Sequence, residues 1–398
     1  MGKKKLWLTL LLVGLLAVLP LSRGLAAEIM ASNFTEMAND YYKNWHAGAA
    51  QAVAALGCEY KFATDEMQPS RMISNLENFL SAGAKIFFVT CPDSSPVRTV
   101  AEMLQKEKAY FTNTWQTQHW MHPADIGDYY VAYFVPDDAQ NAYELAKKLF
   151  EKMGGKGNLI HLMGAAGSTP DFRRTWGVNK ALKEFPEIKV VARQHTSWER
   201  NKARAVMESL IVAHPDFQGV FGQNDAVGIG GMEACEATGI KVPITGIDGA
   251  VETMKLIKEG RYFATQAIHP SWQAGWAAVK AWDAAHGWKP TIPERMMFSA
   301  GMIVTAENVE AYMNKIYNAE KLPYDWLLMS RVKHREDWDA QNLVWPIDLE
   351  YFTMSSLGID EVPADVKLNQ AYLDAKASGE MEKIAQLYKE HYKKDVLK

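Results

Sequence analysis

From Glu28 onward, short apolar runs alternate with amphipathic segments, the form that βαβ units around a parallel sheet take in sequence. The pattern predicts a strand over 28–34 and a helix over 40–56 closed by Gly57, then strands over 60–64, 85–90 and 109–113. Between them it predicts helices from Ser70 to about Gly83 and from Val97 to Lys106. Residues 114–128 follow neither period and carry Trp115, His119, Trp120, Met121 and His122. They read as an irregular segment crossing to a second lobe.

The alternation then starts afresh. Strands are expected at 129–135, 158–163, 189–193, 217–221, 242–245 and 262–268, separated by helices that start at caps such as Asp137 or Asp138 and Pro170. An apolar-faced helix over 272–286, a Pro-rich link over 290–293, a strand over 296–304 and a helix to Tyr317 follow. This pattern predicts an α/β chain of two doubly wound parallel-sheet lobes joined by three crossings. Lobe I is expected at 28–128 plus 270–293, and lobe II at 129–269 plus 294–321. Residues 322–398 depart from the pattern, with Trp326, Trp338 and Trp345 among charged residues and a last amphipathic helix over 374–392. They are expected to pack on the lobes as a C-terminal extension whose role the sequence does not disclose.

Lys3 to Lys5, an apolar run over 6–19 and small residues up to Ala26 and Ala27 form a secretory signal peptide, residues 1–27, too short in its apolar part for a membrane span. No cysteine lies at that cut, so a soluble periplasmic protein without a lipid anchor is expected. The formal charge of −4 becomes −8 once Lys3, Lys4, Lys5 and Arg23 leave with the signal. An acidic exported chain makes a poor nucleic-acid partner. Its three cysteines, Cys58, Cys91 and Cys235, form no disulfide framework. They are expected as buried thiols, with a Cys58–Cys91 bridge as the alternative. His119 and His122 lack a third ligand nearby, so no metal is assigned. The sequence has no Gly-x-Ser-x-Gly and no phosphate loop, and nothing nominates a nucleophile. No cofactor and no catalytic residue is expected.

Gln223-Asn224-Asp225 and Gly246-Ile247-Asp248-Gly249 each follow an apolar run and precede a helical pattern. In an open parallel sheet such strand ends line the ligand crevice. An amide and a carboxylate there, beside glycines that admit close backbone approach, suit a neutral polyhydroxyl ligand. Helix capping is the plainer role for the same residues.

Over roughly residues 28–309 these motifs resemble the periplasmic sugar-binding proteins that serve ABC importers, the type I periplasmic binding protein family, and its ribose-binding branch above all. The core of LacI-type repressors shares the motifs, but those carry a helix-turn-helix where this chain has an export signal. The resemblance implies that Asn39 with Tyr41 and Tyr42 presents an amide and two rings to a sugar. It implies that Arg174, three residues before Gly177, clamps hydroxyls together with Asn224 and Asp248, and that Trp198 stacks on the ligand. Arg173 reads as a solvated neighbour. Asn113-Thr114 stands where ribose-binding relatives carry an Asp-Arg pair, Thr90 or Cys91 where they carry an asparagine, and Ile268 at the hinge glutamine, with Gln266 or His269 as substitutes; Trp115 adds an extra ring. These departures imply another monosaccharide, a polyol or a furanose-like signal. The implied partners are that carbohydrate or polyol and the membrane subunits of an ABC permease, with the protein itself a monomer; a sensory role reporting to a membrane receptor uses the same cleft.

Overall fold

The computed structural model describes residues 27–395; residues 1–26, where the signal peptide is expected, lie outside them. Lobe I begins with β1 (Ile29–Phe34), α1 (Asp40–Ala55), β2 (Glu59–Thr64), α2 (Pro69–Ser81), β3 (Ile86–Thr90), α3 (Val97–Lys106), β4 (Tyr110–Thr114), the short α4 (Pro123–Ile126) and β5 (Tyr130–Pro136). Lobe II follows with α5 (Asp138–Lys152), β6 (Gly157–Met163), α6 (Thr169–Glu184), β7 (Ile188–His195), α7 (Arg200–Ala213), β8 (Gly219–Gly222), α8 (Asp225–Ala237), β9 (Ile244–Asp248), α9 (Val251–Lys258) and β10 (Ala264–Ala267). The chain returns to lobe I with α10 (Pro270–Ala285) and β11 (Met296–Ser299), and enters lobe II again with β12 (Met302–Val304) and α11 (Val309–Ile316). The extension adds β13 (Val344–Pro346), α12 (Leu349–Leu357), α13 (Gln370–Ala377) and α14 (Glu380–Glu390).

Two sheets result. The first runs β13-β11-β5-β4-β3-β1-β2 and the second β12-β10-β9-β8-β6-β7. Pairing is parallel except at one edge of each, where β13 meets β11 and β12 meets β10 antiparallel. Helices cover both faces of the interior strands; β3 and β5 are buried at every residue. On one face α1 packs closely on α10, and at Gly48 a methyl group would stand 2.0 Å from the Ser271 carbonyl oxygen, so that contact requires glycine.

The lobe boundary differs from the sequence expectation. β5 belongs to the first sheet, paired with β4 and β11, so the first crossing falls at Pro136–Asp138 and not before Tyr129. Residues 114–128 therefore stay within lobe I and contain α4. Alternation reveals that a strand exists, but a uniformly apolar strand carries nothing that says which sheet it joins. The expected strand over 296–304 is two strands, one per sheet, broken at Ala300-Gly301. A methyl group at Gly301 would stand 2.7 Å from the Gln266 amide nitrogen and 2.9 Å from the Ala267 carbonyl, so this hinge needs its glycine. The expected terminal helix over 374–392 is likewise two helices, interrupted at Gly379 with φ 75°.

Candidate functional site

Strand ends of both sheets point into one cleft between the lobes, with a cavity of about 350 Å3, near the lower end of the roughly 300–1,000 Å3 usual for small-molecule sites. Lobe I supplies the turns after β1, β2 and β4 and the first turn of α1. Lobe II supplies the start of α6 and the ends of β7, β8 and β9. This is the crevice that carboxyl-end loops of doubly wound sheets build.

Eight of the nine residues singled out in the sequence line this cavity: Asn39, Tyr41, Tyr42, Trp115, Arg174, Trp198, Asn224 and Asp248. Asn113 does not. It is buried behind the wall, where its amide nitrogen donates to the Gln116 carbonyl at 2.8 Å and lies 3.3 Å from the Tyr130 hydroxyl. Its position at the end of β4 suggested contact, but its side chain is consumed in holding the next turn. That turn carries Trp115 at φ 66°, a conformation that a bulky residue keeps only when its surroundings enforce it. Tyr133 donates to the Trp115 carbonyl at 2.6 Å, and the Trp115 indole donates to the Tyr41 hydroxyl. Tyr41 in turn donates to Gln273 at 3.0 Å, so Tyr41 offers the cleft a ring and no free hydroxyl.

Backbone strain marks the same place. Glu66, Met67, Trp115, Ser197, Trp198 and Asp248 all have positive φ and all line the cavity. Such conformations concentrate where the fold must aim particular groups. Trp198 also depends on Gly164, where a methyl group would stand 2.0 Å from the indole ring.

Asn39 and Asn224 serve the capping role as well as lining the cleft. Asn39 accepts from the Tyr41 amide at 2.8 Å and Asn224 from the Val227 amide at 2.8 Å, and each capping acceptor leaves the side-chain NH2 as a donor. Arg174 is held by Asp138, Nε to Oδ1 at 2.8 Å, and by the Gln223 carbonyl, Nη1 to O at 2.6 Å. Gly177 makes its approach feasible: a methyl group there would lie 2.2 Å from the Ala139 carbonyl oxygen, so α6 seats directly on α5. The guanidinium lies 5.5 Å from the Trp198 ring centre and 5.7 Å from that of Trp115, linking the two lobes. Thr169 strengthens that link by donating to the Thr117 carbonyl at 3.3 Å.

Asp248, at φ 136°, has no hydrogen bond to its carboxylate from the described residues. Its turn is set from behind by Asp225, whose carboxylate accepts from the Ala250 amide at 2.7 Å and the Thr265 hydroxyl at 2.7 Å. Burial pushes the Asp248 carboxyl well above the usual range; Arg174 opposes this, and the neighbouring Asp225 and Asp138 add to it. A hydroxyl donating to this carboxyl would stabilise its ionised form and offset the cost of burial. Around the mouth stand Glu36, Glu66 and Glu199. Burial, then Glu66 and Glu199, raise the Glu36 carboxyl. Sequence reasoning missed these three, together with Thr35, Met67 and Gln116; their one signal is position just beyond a strand end.

Arg173 is not solvated. It is fully buried, bonded to Asp137 at 3.0 Å, with Phe298 and Phe352 on its faces at 4.6 and 4.8 Å. All three cysteines are free, so Cys58 and Cys91 are not bridged. His122 caps α4 through Asp125 at 2.9 Å, and the described residues contain no group of three His, Cys, Asp or Glu able to hold a metal. No helix among them is long and apolar enough to cross a membrane. At the hinge, Gln266 donates to Asn141 at 2.9 Å, and His269 has φ 54° with its ring 3.2 Å from the Tyr312 hydroxyl.

Two lobes, hinge crossings and a cleft built from both sides define a ligand-binding protein of the hinge-closing class. The chain belongs to the periplasmic binding protein family: the family model described as "Periplasmic binding protein domain" matches residues 33–289. It is 27% identical over 284 residues to the ribose import binding protein of Salmonella typhimurium, covering 71% of this chain and 93% of that one. Among solved structures it is similar to a twin-arginine translocation pathway signal protein from Burkholderia phytofirmans, at TM-score 0.68 and 29% identity over 72% of this chain and 92% of that one. A periplasmic solute-binding protein of an ABC transporter from Actinobacillus succinogenes, with bound D-allose, shares the fold at TM-score 0.67 and 24% identity, over 72% of this chain and all of that one.

Proposed function

We propose that this protein is an extracytoplasmic solute-binding protein that captures a neutral monosaccharide-like ligand, a sugar or a polyol, and delivers it to an ABC-type permease from the periplasm. The observation that carries the reading is the convergence of Asp248, Arg174, Asn224 and Trp198 from lobe II with Asn39, Tyr41, Tyr42 and Trp115 from lobe I on one cavity of monosaccharide size. Rings cover the apolar faces of a sugar, while the carboxylate and the two amides meet its hydroxyls. A ligand touching both lobes favours the closed state by hinge motion, and closure is what a permease reads. The names of the relatives, ribose import and a D-allose complex, support this class of ligand and favour transport over a sensory role. Nothing in the cleft pairs a nucleophile with a base, so the reading is binding and not catalysis.

A thermal-shift screen of pentoses, hexoses and polyols tests it, since a ligand at a hundredfold excess over its Kd stabilises the folded state by about 2.7 kcal/mol. At least one neutral sugar or polyol should raise the melting temperature and be recovered unchanged. A flat response across the panel, or a sugar recovered as a different product, would contradict the proposal.

A further inference from the structure

The extension beyond the family-matched residues 33–289 is fixed firmly to lobe I. β13 extends the first sheet, and Trp326 fills the space that a side chain at Gly275 would take. On α10, Lys280 and Asp283 are fully buried and paired at 2.9 Å. Lys280 also donates to the Met329 carbonyl at 2.9 Å and lies over the rings of Trp276 and Trp338, while Asp283 accepts from the Arg331 amide at 2.9 Å. Two opposite charges on α10 thus find backbone and ring partners in the extension, at Met329, Arg331 and Trp338.

From that anchor the extension reaches lobe II. Tyr351 donates to the hinge carboxylate Asp137 at 3.0 Å, the Trp176 indole donates to the Ile359 carbonyl at 2.8 Å, and Lys183 pairs with Asp360 at 2.9 Å. Arg173, Trp176, Lys180 and Lys183 recur at the three-to-four spacing that gathers residues on one helix face. Arg174, one position on, faces the cleft. One helix therefore carries the sugar clamp on one side and the extension's contacts on another, and a hinge rotation of lobe II moves both together. The buried Arg173 guanidinium retains two nitrogens, Nε and Nη1, without partners.

We infer that Leu349–Asp360 is a latch holding lobe II against lobe I, so that the ligand-free protein rests near its closed geometry instead of standing open. This rests on the two-lobe closure reading above and adds a bias to it: a binding-competent state already populated lowers the conformational penalty on ligand affinity.

The test is small-angle scattering on the ligand-free protein and on a Tyr351→Phe, Trp176→Phe, Asp360→Ala variant, in which each change deletes one latch contact and the first two leave an aromatic ring in place, a smaller one at 176. Wild-type scattering should fit the closed form. The variant should show a larger radius of gyration, with the open-to-closed ratio raised roughly tenfold, the effect of losing one or two net hydrogen bonds. A folded variant that scatters like wild type, or a wild type that is already open, overturns the latch. If the triple variant unfolds, hydrogen exchange on the Asp360→Ala and Tyr351→Phe single variants decides: faster exchange in α6 and α12 supports the latch, unchanged exchange refutes it. No sugar enters these measurements, so their failure leaves the binding proposal standing, and failure of the sugar screen leaves the latch standing.

Discussion

Arg174 and Trp115 meet across the cleft, the guanidinium carbon of one lobe 5.7 Å from the ring centre of the other. The arginine is fixed by Asp138 and the Gln223 carbonyl, and the tryptophan by Tyr133 and Tyr41. Each lobe thus presents its group already oriented. Replacing Arg174 by lysine keeps the charge and loses the fork. Arg174→Lys should weaken sugar binding by about 1.5–3 kcal/mol, read by calorimetry. Unchanged affinity would remove Arg174 from the ligand's contacts.

Gly164 gives a test that touches no lining residue. A side chain there collides with the Trp198 ring, so Gly164→Ala should push the indole from its place and weaken binding by about 1–3 kcal/mol. Tryptophan fluorescence of the ligand complex should change with it. Full affinity in a folded Gly164→Ala protein would mean that Trp198 does not stack on the ligand.

Charge at the mouth should select against anions. Glu36, Glu66 and Glu199 surround it, and the one cation among the lining residues, Arg174, is already paired with Asp138. Uronic acids and sugar phosphates should bind at least about tenfold more weakly than the parent neutral sugar, and Glu36→Gln with Glu199→Gln should narrow the gap. Competition calorimetry reads the ratio; equal binding would show that the rim is too well screened to matter.

Acid stability should follow His161. It lies in the interior strand β6 with neither ring nitrogen bonded, and burial pulls it down from 6.5 to about 3. The unfolded chain therefore takes up a proton between about pH 6.5 and pH 3 that the folded chain refuses. Stability is intact above that window and falls as the pH drops through it, by about 2 kcal/mol at pH 5 from this residue alone. Denaturant titrations should show a shallower loss between pH 7 and pH 5 for His161→Leu than for wild type. Parallel curves would place the acid sensitivity elsewhere.

Local signals in the sequence were enough to find most of the cleft. Asn224 and Asp248 follow apolar runs, and Arg174 keeps its spacing from Gly177 for a reason visible in space, the direct seating of α6 on α5. What local signals could not supply was the destination of a side chain. Asn113 has the same address as a ligand residue and is spent on the Gln116 carbonyl. Arg173 reads as a surface residue because its partners, Phe298 and Phe352, lie more than a hundred positions away in sequence. The sheet that β5 joins and the sheet that residues 322–398 extend were hidden for the same reason, since both are settled by pairing with strand β11.

The decisive measurement is calorimetry of the wild type and of Asp248→Ala with the sugar or polyol that gives the largest thermal shift. With an unpartnered carboxylate at the floor of the cleft, wild type should bind one ligand per chain, and Asp248→Ala, folded and equally stable, should show no detectable heat. Binding of equal strength in both proteins would place the ligand outside this cleft and contradict the account.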